Sequence, residues 1–320
     1  MSIKVEHSGV LSLLQDGGRF GYHRLGLSNG GPMDPEAFCL CNRLLQNPAG
    51  ATAIEISVGG LQARILEDTY ICLTGAPMAL TINGEERSFW EVHPVSAGDF
   101  VKVGFAASGC RSYLGAAGGF SVKPMFGSAA TVVREHIGGL CGTALRAGDE
   151  VPCARVVERR RLYLAARDQP RYQQSLTVRI IPGYQQHHFG RAEQRRFFSQ
   201  PYKISENCDR MGYRLEGAAI NCDIGGIQSE GICYGAIQIP PDGQPIVLLN
   251  DRQTIGGYPK IGSALSLDAA RMTQLTAGCT VHFAPISPAT ANRALRLAQQ
   301  FSRNRRLEER PAAVSNESKP

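Results

Sequence analysis

Between Gln238 and Lys260 the chain reads QIPPDGQPIVLLNDRQTIGGYPK, and this stretch gathers side chains able to do chemistry: Gln238, Asp251, Arg252, Gln253 and Lys260. A cation opposes negative charge as it develops, a carboxylate moves a proton, and a carboxamide holds an amide. The apolar run from Ile246 to Leu249 lies between two turn clusters, Pro240-Pro241-Asp242-Gly243 and Gly256-Gly257-Tyr258-Pro259. A short apolar run bounded by turn residues is a buried strand, and polar groups at its ends stand where a ligand sits. Spacing alone favours a plainer account, with Asp251 and Arg252 as a loop ion pair and Lys260 as a solvated surface lysine. Upstream, Asp209-Arg210 and Arg214 offer guanidinium forks for a carboxylate or phosphate. An internally satisfied, ion-paired hairpin is the alternative there. The glycine-dense stretch from Gly17 to Gly31 would let backbone N–H groups approach a ligand, or is simply an irregular loop.

These residues need a scaffold, and the sequence predicts one built of strands. Thirty-six glycines and eighteen prolines punctuate short β-rich runs at Tyr70 to Leu73, Phe100 to Val103, Leu176 to Ile181, Ile246 to Leu249 and Thr280 to Phe283. Such runs with few amphipathic helices between them indicate an all-β sandwich or barrel. One helix is expected from Pro35 to Leu45 behind a cap at Asp34. A second follows Ser287-Pro288, with Ala291, Leu295, Ala298 and Phe301 on one face. Ala97-Gly98-Asp99-Phe100-Val101 is echoed by Ala277-Gly278-Cys279-Thr280-Val281 and again by Ala147-Gly148-Asp149-Glu150-Val151. Each copy reads as a tight turn feeding a strand; such turns are also common in β proteins generally.

The segment from Gln238 to Lys260 resembles the signature of the 5-oxoprolinase C-subunit family, also known as the KipI-antagonist or allophanate hydrolase subunit 2 family. It is similar as well to the carboxyltransferase region of biotin-dependent urea carboxylase. Other blocks carry the same resemblance in order: Gln15-Asp16-Gly17-Gly18-Arg19, Gly30-Gly31-Pro32-Met33-Asp34, Arg111-Ser112-Tyr113-Leu114, Asp209 to Leu215, and Gln228-Ser229-Glu230-Gly231. One block departs: Gly138-Gly139-Leu140-Cys141-Gly142-Thr143 lacks the family's arginine.

The resemblance implies an all-β fold of two tandem cyclophilin-like β-barrel domains with a C-terminal helix. The expected bounds are 1–168 and 169–287 for the barrels, 288–305 for the helix and 306–320 for a disordered tail. It implies one component of a bacterial ATP-dependent 5-oxoprolinase, converting 5-oxo-L-proline to L-glutamate together with the A subunit and the KipI-like B subunit of that enzyme. A lactam carbonyl is a poor electrophile, and phosphorylating its oxygen makes it a leaving group before water attacks. On this reading Lys260 and Arg210 meet phosphate charge and Asp251 is the acid or base. Gln238, Gly256, Gly257, Tyr258 and Arg214 bind the substrate, and Gly17, Arg19, Gly31 and Asp34 line the site. ATP is expected to be shared with a partner. Alternatives are a biotin-dependent carboxyltransferase acting on urea or a related amide, and a regulatory protein that antagonises a kinase inhibitor.

Several classes are disfavoured by the residues themselves. No Walker A pattern occurs, and no G-x-G-x-x-G follows a strand into a helix. Gly26-Leu27-Ser28-Asn29-Gly30 spells a nucleophile elbow but lacks its strand and helix flanks, so Ser28 is not read as a nucleophile. His187-His188, adjacent on a strand, would face opposite ways, which argues against a shared metal, and Cys39 and Cys41 have no zinc-type spacing. A net charge of +6 without aromatic interleaving does not suggest nucleic acid. With no long apolar run and no secretory signal visible, the ten cysteines are expected to be free thiols in the cytoplasm. Thiol titration of the denatured, unreduced protein should therefore approach ten per chain; a count near zero would contradict this reading.

Overall fold

The computed structural model describes residues 2–154 and 158–310. Eleven strands build the first unit: β1 (Ser2–Ser8), β2 (Leu11–Gln15), β3 (Ala53–Ser57), β4 (Leu61–Ile65), β5 (Thr69–Gly75), β6 (Met78–Ile82), β7 (Glu85–Arg87), β8 (Val92–Val95), β9 (Phe100–Ala106), β10 (Arg111–Ala116) and β11 (Glu150–Pro152). They form a six-stranded sheet, β11-β1-β4-β9-β6-β7, and a five-stranded sheet, β2-β3-β10-β5-β8. Both contribute to one apolar core that includes Ile3, Val5, Ile54, Ile71, Leu80, Val101 and Leu114. Burying each such side chain stabilises the fold by roughly 1.5–3 kcal/mol.

The second unit follows β12 (Leu162–Tyr163). It comprises β13 (Ser175–Pro182), β14 (Tyr202–Cys208), β15 (Gly212–Gly217), β16 (Glu230–Gly231), β17 (Ala236–Gln238), β18 (Ile246–Leu248), β19 (Ile255–Gly256), β20 (Lys260–Ala264) and β21 (Thr280–Pro285). Seven of these close into a barrel in the order β13-β20-β17-β18-β15-β14-β21. The parallel pairing of β13 with β21 completes the ring. The remaining two, β16 and β19, form a separate antiparallel ribbon. The chain is thus the mostly β architecture expected, and the five apolar runs singled out in the sequence lie on strands except for Leu249, which follows the end of β18.

The Ala-Gly echo is a structural repeat. Gly98, Gly148 and Gly278 all have φ between 83° and 95°, a conformation only glycine adopts without strain. Their amides donate to Ile65 O, Val5 O and Ile204 O, and each of those residues donates back to the residue after the glycine. One turn is therefore used three times to launch β9, β11 and β21.

Helices are few. α1 (Pro35–Leu44) begins as predicted: the Asp34 carboxylate accepts from Ala37 N at 3.1 Å, with Pro35 in the first turn. Its Phe38, Leu40 and Leu44 bury against Trp90 and Tyr113. Two short helices, α2 (Arg191–Ser199) and α3 (Ser266–Met272), were not anticipated. The last helix, α4 (Pro288–Asn304), is capped by Ser287, which accepts from Thr290 N at 3.2 Å. Its predicted apolar face is not buried as a whole: Ala291 is, whereas Phe301 is 66% exposed. Among the described residues no helix is long and apolar enough to cross a membrane, and all ten cysteines are free thiols.

The tail expected to be disordered from residue 306 needs correction over 306–310; residues 311–320 lie outside the described residues. Here β22 (Glu308–Glu309) pairs with β12, and Arg310 reaches Glu91 at 3.0 and 3.2 Å. Arg43 also donates to the carbonyls of Ser302 and Arg305, and Arg305 to Glu36 at 2.7 Å. Opposite charges and an open strand edge dock this segment, which composition alone does not reveal. A chain ending at Asn304 should melt at a lower temperature than the full chain. Identical melting curves would show that the strand pair contributes nothing.

Candidate functional site

The expected site residues fall into two separate groups. The first lies in the seam between the units. Strand β3 is buried along its whole length, yet at its centre it carries a carboxylate, Glu55, which is 1% exposed. Glu55 accepts from Tyr113 Oη at 2.7 Å, from Met33 N at 2.9 Å and from Arg210. The same guanidinium grips Asp251 in bidentate fashion, at 2.8 and 3.0 Å, and donates to Gly31 O at 2.8 Å. Beside it, Asp34 accepts from Gln274 Nε2 at 2.8 Å and Tyr172 Oη at 3.0 Å. Met33 itself enters the apolar core of the barrel unit, so the first unit penetrates the second at this seam.

Two carboxylates share one guanidinium here, and their proton affinities show it. Burial alone would lower the Arg210 pKa, but Asp251 and Glu55 outweigh it and hold the group firmly cationic. Burial raises Asp251 above the usual carboxylate range, with Arg210 offsetting only part of that. Asp34 is likewise raised by burial against its hydrogen bonds. Such an arrangement joins two surfaces and commits four hydrogen bonds of the guanidinium to doing so. Arg210 and Asp251, expected to meet phosphate charge and to move a proton, hold each other in the seam, as Gly31 and Asp34 do with their own partners. Arg19 is also buried and caps carbonyls, those of Met125 at 3.0 Å, Ser128 at 3.3 Å and Ala130 at 3.2 Å. Asp251 and Arg252 form no loop ion pair: Arg252 donates instead to Ile232 O and Leu249 O, both at 3.1 Å.

The second group surrounds the mouth of the barrel. Lys260 opens β20 and stands directly opposite Gln238 of β17, while Gly256 of β19 pairs with Glu230 of β16. The Lys260–Glu230 contact and the closeness of Gly256 to Gln238 join the two pairs into one patch. The Glu230 carboxylate accepts from Lys260 Nζ, from Tyr184 Oη and from Gln185 Nε2, the last at 3.0 Å. Lys260 and then Tyr184 draw its pKa below the usual range. Gln185 Oε1 in turn accepts from Lys260 N at 2.8 Å, which fixes the carboxamide.

The Lys260 side chain is 11% exposed, so it is not the solvated lysine that spacing alone favoured. Gln238 is 2% exposed and its Nε2 has no partner, an unusual condition for a buried donor. A Cβ at Gly256 would lie 2.5 Å from Ile232 Cδ1 and 2.8 Å from Gln238 Nε2, so only glycine fits beside this carboxamide. Gly257 O accepts from Ile227 N at 2.8 Å, and Tyr258 is exposed at the rim.

The other expected residues lie outside both groups. Arg214 makes an exposed pair with Asp242 at 3.0 Å. Gly17 has nothing within 4 Å of its Cβ position. Ser28 is buried and donates to Glu135 at 2.6 Å. His187 and His188 lie on a one-turn helix, not a strand, and their rings approach to 4.0 Å. Among the described residues no group of three or more His, Cys, Asp or Glu side chains could hold a metal ion.

Sequence reasoning overlooked Glu55, Gln185, Tyr184 and Glu230 as site residues. Glu55 had a signal: a lone carboxylate inside the apolar run AIEIS asks for a buried partner. Tyr184 and Gln185 had none, because nothing local marks a loop that folds across the barrel mouth.

The carboxyltransferase domain family, subdomains A and B, matches residues 25–285. The chain is 34% identical over 302 residues to the protein of Escherichia coli strain K12 named as the C subunit of 5-oxoprolinase, covering 93% of this chain and 96% of that one. It is 33% identical to the protein of the same name from Haemophilus influenzae, over 86% and 88% of the two chains. Among solved structures, the urea carboxylase of Kluyveromyces lactis superposes with a TM-score of 0.88 at 25% identity, over 95% of this chain but 29% of that one.

Removing one partner from a buried ion pair leaves an uncompensated charge, which typically costs about 3–5 kcal/mol. Arg210→Met should therefore destabilise the chain on that scale in denaturant unfolding. A loss below about 1 kcal/mol would show that the seam does not depend on this guanidinium.

Proposed function

The chain belongs to the carboxyltransferase-domain family, and from that premise we propose that it is the C subunit of an ATP-dependent 5-oxoprolinase. On this reading it opens 5-oxo-L-proline to L-glutamate together with the A subunit and a KipI-like B subunit. The observation that carries the proposal is the barrel mouth: a buried lysine and a buried carboxamide with an unused N–H lie side by side. This occurs in a chain that matches a 5-oxoprolinase component along nearly its whole length.

The Gln238 Nε2 group is a donor for a lactam carbonyl oxygen. A buried donor without a partner is unfavourable by about 1–3 kcal/mol, and a carbonyl ligand would relieve that cost. Lys260 sets a positive charge beside the bound ligand across the β17–β20 ladder, and its low exposure keeps water from screening it. Gly256 packs directly against the Gln238 carboxamide, where any side chain would displace it. The residues of the seam hold the barrel in register beneath this patch.

ATP is implied by this reading, and the residues at the mouth do not fit a complete nucleotide site. Triphosphates are held by several cations or by backbone N–H cradles. Here one ammonium, Lys260, serves the patch, and it is engaged by Glu230. No step is therefore routed through the nucleotide on this chain, and its site is assigned to a surface completed by another protein of the complex.

The likeness to a urea carboxylase favours a second reading, carboxyl transfer from biotin on a separate carrier to urea or a related amide. Gln238 and Lys260 would hold that amide in the same way.

The chain alone should release little glutamate from 5-oxo-L-proline, and turnover should appear when the A and B subunits are added with ATP. In that complex Lys260→Met should lower turnover about 10²–10³-fold, the scale of losing one transition-state donor, with the melting temperature nearly unchanged. Substantial turnover by the chain alone would remove the need for partners. Full activity of the Lys260→Met complex would move the chemistry away from the barrel mouth.

A further inference from the structure

We propose that the Lys260, Gln185 and Tyr184 donors form a carboxylate cradle, that Glu230 is its internal occupant, and that the ligand's own carboxylate displaces Glu230. The inference deepens the reading above and rests on the barrel mouth being the ligand site.

Donors and acceptor differ in burial. Gln185 and Lys260 are 5% and 9% exposed and belong to the body of the barrel unit. Their geometry is locked by the hydrogen bond from Lys260 N to Gln185 Oε1. The Glu230 side chain, by contrast, is 33% exposed and sits on a two-residue strand of the peripheral ribbon. Two of the three donors are thus part of the framework, Tyr184 at 69% exposure being the outer one, whereas the acceptor comes from an appendage beside it.

The energetic consequences differ in the same way. If Glu230 swings outward, its carboxylate recovers water at little cost, as exposed ion pairs contribute little. The ammonium of Lys260 and the carboxamide of Gln185 would be left buried and unpaired, which is unfavourable unless another carboxylate replaces the first. An ammonium, a carboxamide N–H and a phenol O–H meeting two oxygens of one group match a carboxylate.

A second, independent feature points to the rest of the ligand. Gln238 Nε2, buried and without a partner, lies across the β17–β20 ladder from Lys260. It needs a neutral carbonyl acceptor at about the spacing of opposed side chains. One small molecule that satisfies both demands carries a carboxylate and an amide carbonyl a few atoms apart, which describes a lactam or acylated α-amino acid. Urea has the carbonyl but no carboxylate, so the cradle favours the first of the two readings above.

The test measures equilibrium binding to the full chain and to its complex with the A and B subunits. Three probes are compared: 5-oxo-L-proline, cyclopentanecarboxylate (the carboxylate without the lactam) and 2-pyrrolidinone (the lactam without the carboxylate). An occupant that fills the cradle nine-tenths of the time lowers apparent affinity about tenfold. Glu230→Ala should therefore bind both carboxylates about tenfold more tightly than wild type and leave 2-pyrrolidinone unchanged. The isosteric Glu230→Gln should shift in the same direction, and adding Lys260→Met should abolish the gain. Glu216→Gln, which removes an exposed charge from β15, should change nothing and so excludes a general charge effect.

Unchanged, weaker or undetectable carboxylate binding by both Glu230 variants overturns the proposal, as does equal tightening of 2-pyrrolidinone. If 5-oxo-L-proline binds better than either fragment yet ignores Glu230, the internal occupant fails and the proposed function survives. If both carboxylates tighten but the lactam adds no affinity, the cradle stands and the 5-oxoprolinase reading falls.

Discussion

The guanidinium of Arg210 is the constraint on which the rest of the molecule depends. It lies between Glu55 of the first unit and Asp251 of the second and also holds the Gly31 carbonyl. A charge with almost no access to water is tolerated only where every donor finds an acceptor. That requirement fixes three segments far apart in sequence against one another. Tyr113, Met33, Asp34 and Gln274 extend the same network, so a rotation of the units would break several buried hydrogen bonds at once. Directional bonds of this kind set the register between two apolar cores that would otherwise slide.

The barrel mouth is built on the opposite principle. Its hydrogen bonds meet on one partly exposed carboxylate, that of Glu230, and one buried donor nearby has no partner at all. In the seam Arg210 and the carboxylates are paired with groups of the protein and hidden from water, as stability demands. At the mouth polar groups are concentrated, partly wet and incompletely satisfied, the usual condition of a surface awaiting a ligand. The two groups share sequence neighbourhoods: Asp251 and Lys260 are separated by a single turn-rich loop. One motif thus serves both cohesion and recognition, and a sequence block of this family cannot be read as a single site.

Family membership agrees with this division. The chain matches relatives named as 5-oxoprolinase subunits over nearly their full length, whereas it spans a minor part of the much larger urea carboxylase chain.

By itself the sequence determined what depends on neighbours along the chain. Apolar runs between Gly and Pro turns became strands, Asp34-Pro35 and Ser287-Pro288 opened helices, and three Ala-Gly copies became one repeated turn. These outcomes follow from backbone sterics and capping, which act over a few residues. It also singled out Gln238, Asp251, Arg252, Gln253 and Lys260 as flanking one short strand, of which Gln238 and Lys260 stand opposite each other at the barrel mouth and Asp251 lies in the seam. What only the tertiary structure decided was the partner of each charge. Arg210 met Glu55, 155 residues away, and Lys260 met Glu230 of β16 and Gln185 from a separate loop. The tail segment 306–310 docked on a strand edge and on Glu91 across the molecule. A charged side chain has no strong local preference for a partner, so its role is set by which opposite charge folding brings near and how much water is then excluded.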